Sequence, residues 1–155
     1  MLFRSSYLVM EFLQGMTNVE RFAAQLVQNE ADDEHVNSFL HELAHAVTSL
    51  QEAEAYHKDL SGKNILTQDG RRFCFIDLES VVPAARQTRR MVLKNHIQLY
   101  DSFCDFWGDD FLEPFLAQML PEGEDYARWA RIVRRGQAAR RSRQIALWKR
   151  QGRSL

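Results

Sequence analysis

Between Asp33 and Ala55, the residues Val36, Phe39, Leu40, Leu43, Ala44, Val47 and Leu50 recur at steps of three and four. That is the period of a helix with one buried face. A helix this long needs a partner surface along its whole stripe, so the flanking segments must supply a core. Upstream, the apolar run Ser6 to Leu13 reads as a buried strand stopped by Gln14-Gly15. Thr17-Asn18-Val19-Glu20 has the spacing of a capping box and opens a helix to about Gln28. Asn29 to Asp33 form a polar break.

Downstream, Tyr56 to Lys63 reads as a loop. Ile65-Leu66-Thr67 and Phe73-Cys74-Phe75-Ile76 read as two short strands joined by Gln68-Asp69-Gly70, a strong hairpin signal. Pro83 marks a loop. Helical pattern returns over residues 87–107, 111–119 and 124–150, the last with a break expected at Gly136. The fold class expected is mainly α (α+β), with very little sheet.

The chain has 155 residues, enough for one modest core. No apolar run is long enough to span a membrane, and Met1 to Ser6 lacks the basic flank and apolar core of a secretory signal. Cys74 and Cys104 have no metal-like spacing and read as reduced thiols of a cytoplasmic protein. Charge is divided along the chain. Residues 128–155 hold ten basic side chains and no acidic one, which leaves ten basic against 21 acidic residues for positions 1–127. An anionic partner for the basic end is one expectation, a solvated helical face covering the domain the other. No aromatic stacking pattern points to nucleic acid.

The residues that carry chemistry lie between Tyr56 and Glu79. Asp59 sits in a loop after the long helix and follows His57. Asn64 comes five residues later, at the start of a short strand. Asp77 ends the returning strand of the hairpin, so Asn64 and Asp77 can face one pocket with Asp59. One carboxylate can accept a hydroxyl proton while Asn and Asp oxygens hold a hard divalent cation, the equipment of phosphoryl transfer.

His57-Lys58-Asp59-Leu60-Ser61-Gly62-Lys63-Asn64-Ile65-Leu66 resembles the catalytic loop of the protein-kinase-like superfamily, and Phe75-Ile76-Asp77-Leu78-Glu79 resembles its metal-binding strand end. Tyr7-Leu8-Val9-Met10-Glu11-Phe12-Leu13-Gln14-Gly15 looks like the last N-lobe strand and the hinge that holds adenine. The resemblance implies ATP and Mg²⁺, with Asp59 as base and Asn64 and Asp77 as metal ligands. It implies Met10, Glu11, Leu13 and Leu66 on the nucleotide. His57 belongs to the catalytic set as a brace for the loop, and Lys63 either approaches the transferring phosphate or is solvated. Glu79 reads as a surface residue or a further carboxylate beside the metal.

Asp77-Leu78-Glu79 departs from Asp-Phe-Gly, no Ala-Pro-Glu follows, and residues 80–99 run straight into a helix. That leaves no room for a peptide platform and looks like the small-molecule branch of aminoglycoside-type phosphotransferases, choline kinases and lipopolysaccharide kinases acting on Kdo or heptose. The Ile-Asp-Leu-Glu ending with Arg86, Arg89 and Arg90 looks most like the last group. A sugar or glycolipid substrate is then expected, with the basic residues 128–153 at the inner face of an anionic membrane.

The domain division expected is hinge strand 1–16, catalytic lobe 17–127 and basic helix 128–155. A Gly-rich loop, a strand Lys and a helix Glu normally precede such a hinge, and Met1 to Ser6 cannot supply them. The N-lobe is therefore expected to be largely absent: encoded upstream, supplied by another chain, or lost in an inactive remnant.

His41-Glu42-Leu43-Ala44-His45 spells a rival signature, that of zinc metalloproteases. On the helical wheel both His point about 140–180° away from the apolar stripe. Position 51, where the extended pattern has its third His, holds Gln51.

Overall fold

The apolar stripe of the long helix is buried from Val36 to Val47, and the polar side chains that alternate with it face solvent. Asp32 caps this helix by accepting from the His35 N–H at 2.9 Å. The computed structural model describes residues 14–84 and 87–151; the expected strand Ser6–Leu13, with Met10, Glu11 and Leu13, lies outside them.

Among the described residues the order is β1 (Thr17–Asn18), α1 (Val19–Gln28), α2 (Asp33–Glu52), β2 (Ala55–His57), β3 (Ile65–Thr67), β4 (Phe73–Phe75), β5 (Val81–Pro83), α3 (Arg89–Phe103), α4 (Asp109–Ala117) and α5 (Tyr126–Arg150). The chain is mainly helical with two small antiparallel sheets, β1-β3-β4 and β2-β5. No helix among the described residues is long and apolar enough to cross a membrane.

Phe39 of α2 is the point where the parts meet. Its ring lies 5.2 Å from Phe22 of α1, 6.1 Å from Phe73 of β4, 6.1 Å from Phe103 of α3 and 5.9 Å from Trp107. Each such pair contributes about 0.5–1.5 kcal/mol beyond its buried area. The hairpin is fastened to this centre at its turn. Gly70 has φ 72°, and a Cβ there would meet the Phe22 ring at 2.8 Å. Thr67 Oγ1 accepts from the Gly70 N–H at 2.9 Å and donates to the Arg72 carbonyl at 2.8 Å.

Four local expectations need correction. The cap of α1 is Asn18, whose Oδ1 accepts from the Arg21 N–H at 2.8 Å, and not Thr17. Thr17 is paired across from Thr67 as an extension of the hairpin, so the helix starts later. Tyr56 and His57 are not loop but strand, paired with Val82 and Val81. Pro83 stands at the end of that same ladder, opposite Ala55, rather than in a loop; strands of three residues are too short to show an alternation. Gly136 does not break α5. It lies where Ile97 of α3 presses against the helix, and a Cβ would overlap that side chain. Glycine serves close approach here.

α3 and α5 are further joined through a buried pair. Trp129 Nε1 donates to His96 Nδ1 at 2.7 Å, with the rings edge to face. Arg89 lies over the Trp129 ring at 5.0 Å and forms an ion pair with Glu124. Burial holds the His96 pKa down at about 4, and a proton on Nδ1 would also oppose the Trp129 N–H.

The unfolded chain therefore takes up this proton first, near pH 6.5, so stability is complete above that pH and is lost as pH falls toward 4. Unfolding free energies from urea titrations should decline across this window by up to roughly 3 kcal/mol in total. The His96→Gln variant, which keeps an acceptor for Trp129, should lose most of that slope; an unchanged slope would assign it to other groups.

Candidate active site

α2 stops at Glu52, and Glu54, at φ 55°, turns the chain into β2. The β2-β5 ladder continues one bond further, from the Lys58 N–H to the Ser80 carbonyl at 2.8 Å. This brings the segment after Asp77 beside the loop that carries Asp59. His57, fully buried at the end of β2, closes the same gap from within. Its Nε2 donates to the Ile76 carbonyl at 2.8 Å, and its Nδ1 accepts from the Asp59 N–H at 3.2 Å. The two bonds fix the tautomer with the proton on Nε2 and leave neither nitrogen for a reacting group. His57 positions; it does not face the site.

Asp59 is held on both sides. Its Oδ1 accepts from Gln98 Nε2 at 3.0 Å and its Oδ2 from Asn64 Nδ2 at 3.2 Å. The same Asn64 nitrogen donates to the Asp59 carbonyl at 2.9 Å. Carboxylate and carbonyl can only accept, so the orientation of the Asn64 amide is decided by its partners. Its carbonyl oxygen is left for another donor or a cation. Lys63 Nζ stands 3.7 Å from Asp59 Oδ2, in an exposed pair of little energetic weight.

Asp77 hangs from the same frame. The Ile76 N–H donates to the Asn64 carbonyl at 3.0 Å, and Asp77 follows directly in left-handed backbone, φ 62° and ψ 57°. A non-glycine residue held there costs of order 1 kcal/mol, less for Asp than for most. Ser80 Oγ donates to Asp77 Oδ2 at 2.7 Å, leaving Oδ1 exposed. Asn64 Oδ1 and the Asp77 carboxylate are hard oxygen donors, the type that suits Mg²⁺. Glu79 is exposed, and Leu66 is half-buried in β3 between Asn18 and Cys74.

Residues 1–129 match the family model described as lipopolysaccharide kinase (Kdo/WaaP) family. The chain belongs to the lipopolysaccharide kinase (Kdo/WaaP) family. No curated protein matches it. Membership makes it a relative of phosphotransferases that act on lipopolysaccharide. The rival zinc signature is not built up in this lipopolysaccharide kinase relative. His41 and His45 are exposed on α2, and His41 Nδ1 donates to Gln118 at 2.6 Å. Among the described residues, no three His, Cys, Asp or Glu side chains converge.

The sequence reading expected the helix α3 but missed its part in the site. Gln98 is buried and spends its amide on the loop: besides Asp59, its Oε1 accepts from the Leu60 N–H at 3.2 Å and its Nε2 donates to the Lys58 carbonyl at 3.3 Å. Ser102 Oγ accepts from the Gly62 N–H at 2.8 Å, and Lys94 Nζ donates to the Lys58 carbonyl at 2.6 Å. A signal was present. Asn95, Gln98 and Ser102 recur at helical spacing among Val92, Leu99 and Phe103, a polar line on a helix otherwise made for a core.

Replacing Gln98 by Leu keeps the volume and removes its bonds to Lys58, Asp59 and Leu60. The buried Leu60 N–H then lacks its acceptor, at a cost of about 1–3 kcal/mol. Denaturant unfolding should show that loss, and amide exchange at Leu60 should accelerate. Unaltered exchange at Leu60 would mean that Gln98 does not clamp the loop.

Proposed function

We propose that this chain is the kinase-like C-lobe of an ATP- and Mg²⁺-dependent phosphotransferase whose acceptor is a sugar hydroxyl of lipopolysaccharide core or a related small molecule. The observation that carries this reading is the clamped carboxylate of Asp59, with Asn64 on one side and Gln98 on the other. The family supports the reaction class, and the Ile76–Asn64 backbone bond, which sets Asp77 next to Asn64, supports a cation site.

Bound Mg²⁺ would neutralise phosphate charge during transfer. Asn64 Oδ1 and the Asp77 carboxylate would hold it. Asp59 receives the proton of the acceptor hydroxyl as its oxygen bonds to the γ-phosphorus and the bond to the ADP oxygen breaks. Two clamps keep its carboxylate oriented without neutralising it, since both donate from uncharged amides. Lys63, exposed at the mouth of the site, is near enough to Asp59 to meet a transferring phosphate.

In this reading Met10, Glu11, Leu13 and Leu66 face the nucleotide, residues 17–127 form the catalytic lobe, and α5 belongs to the basic segment 128–155. The far end of α5 exposes Ile145 and Leu147 beside Lys149 and Arg150. That mixture suits peripheral contact with an anionic membrane.

Thermal shift separates the roles. Mg²⁺-ATP should raise the melting temperature of the wild type and of Asp59→Asn, and should leave Asp77→Asn unmoved; Asn tolerates left-handed backbone, so the variant folds. In a transfer assay with lipopolysaccharide core as acceptor, Asp59→Asn should lower turnover by roughly 10²–10⁴-fold. Full turnover in Asp59→Asn removes it as base, and full stabilisation of Asp77→Asn by Mg²⁺-ATP removes it as metal ligand.

A further inference from the structure

Asp77 leads into a single 3₁₀ turn, Leu78–Ser80, and Ser80 closes it. Three bonds fix Ser80 there. Its N–H donates to the Asp77 carbonyl at 2.9 Å, and its carbonyl accepts from the Lys58 N–H at 2.8 Å. Its Oγ donates to Asp77 Oδ2 at 2.7 Å, a length typical of a hydroxyl on a carboxylate. The two backbone bonds anchor Ser80 independently of its side chain. Rotating the Asp77 carboxylate away from this donor therefore gives up a charge-assisted bond.

The oxygens around the candidate cation site are committed unevenly. Both Asp59 oxygens are taken, Oδ1 by Gln98 and Oδ2 by Asn64. Asn64 spends its nitrogen on Asp59 and keeps Oδ1. Asp77 likewise keeps Oδ1, with Oδ2 on Ser80. Asn64 and Asp77 thus offer one uncommitted oxygen each among the described residues. That is a sparse set. Mg²⁺ accepts it, because it keeps several of its waters and takes one or two protein oxygens beside those of a phosphate. Ca²⁺ takes about six to eight oxygens and readily uses both oxygens of one carboxylate. To grip Asp77 in that way Ca²⁺ has to displace the Ser80 hydroxyl, and Mg²⁺ does not.

We infer that Ser80 selects the ion: its hydroxyl makes Asp77 a one-oxygen ligand and so favours Mg²⁺ over Ca²⁺. The inference rests on the phosphotransferase reading, with its cation site at Asn64 and Asp77, and adds to it the choice between two hard cations. Ser80 is a positioning residue, since it acts on the ion through Asp77. A purely structural role has a different consequence. Loss of a structural hydroxyl loosens the turn and weakens both ions together. Loss of the selecting hydroxyl frees Oδ2 and helps Ca²⁺ alone.

Calorimetric titration of the full chain with β,γ-imido-ATP, in excess Mg²⁺ or excess Ca²⁺, measures the two affinities without turnover. Their ratio is the readout. Ser80→Ala keeps both backbone bonds and should move the ratio toward Ca²⁺ by about tenfold, the order of one charge-assisted hydrogen bond. Ser80→Thr, which keeps the hydroxyl, should hold the wild-type ratio.

An unchanged ratio in Ser80→Ala overturns the assignment, as does an equal weakening of both complexes. A Thr variant that shifts as far as the Ala variant overturns it too. If the wild type binds neither complex, the cation site itself fails, and the phosphotransferase reading fails with it. Binding with an unchanged ratio defeats the role of Ser80 alone.

Discussion

A buried backbone must find hydrogen-bond partners, and in the loop that carries Asp59 the N–H groups of Leu60 and Gly62 find theirs outside it. Leu60, Ser61 and Gly62 are buried, and their segment is too irregular to satisfy its own N–H groups. α3 satisfies them from below, Gln98 for Leu60 and Ser102 for Gly62. Those bonds fix the height of the loop over the core. The same Gln98 amide then reaches the carboxylate, so one side chain serves both the folding of the loop and the aim of its acid. Where α3 lies therefore decides where Asp59 points. That placement is in turn set by Phe103 against Phe39 and by His96 against Trp129.

His57 and Asp77 illustrate how the second half of the site is kept in register with the first. A left-handed Asp is disfavoured in isolation and needs surroundings that over-determine it. Here the Ile76 N–H goes to Asn64, the Ile76 carbonyl to His57, and the Ser80 N–H back to the Asp77 carbonyl. With both ends of the turn bonded, the backbone has little choice between them. The tautomer of His57 follows from the same geometry, and its ring transmits the position of Ile76 to the Asp59 N–H. A substitution at His57 would thus disturb two candidate residues without touching either side chain.

The sequence was most legible where a period or a turn pair is long enough to be read. The stripe of α2 and the Asp69-Gly70 hairpin emerge with boundaries shifted by a few residues only. It was least legible where structure comes from partners distant in the chain. β2 and β5 are three residues each and pair across Tyr56 to Val82, so no local pattern could announce them. Gly136 looked like a breaker because a helix interior disfavours glycine, while the reason for it sits on Ile97 of another helix. In the site, Asp59, Lys63, Asn64 and His57 could be grouped from spacing because they fall within eight residues of chain. Gln98 could not, since it acts across 39 positions.

The division of charge along the chain has in part an internal destination. Asp101 and Asp105 of α3 and its following turn take Arg140 and Arg141, and Asp109 and Glu113 of α4 take Arg134. Arg141 holds the Asp105 carboxyl below the usual carboxylate range. A single exposed pair of this kind contributes little, but a row of them along two helices penalises any slip of α5 against α3. Composition alone left two expectations for the basic end, an anionic partner or a solvated helical face. With their partners in place, Arg134, Arg140 and Arg141, three of its ten basic side chains, are neutralised locally. Arg90 of α3 and Arg143 of α5 line one cleft between the two helices, and neither has an ion-pair partner among the described residues. Unpaired cations standing together make a local field, whereas the same charges spread along the helix would only raise its general attraction for polyanions.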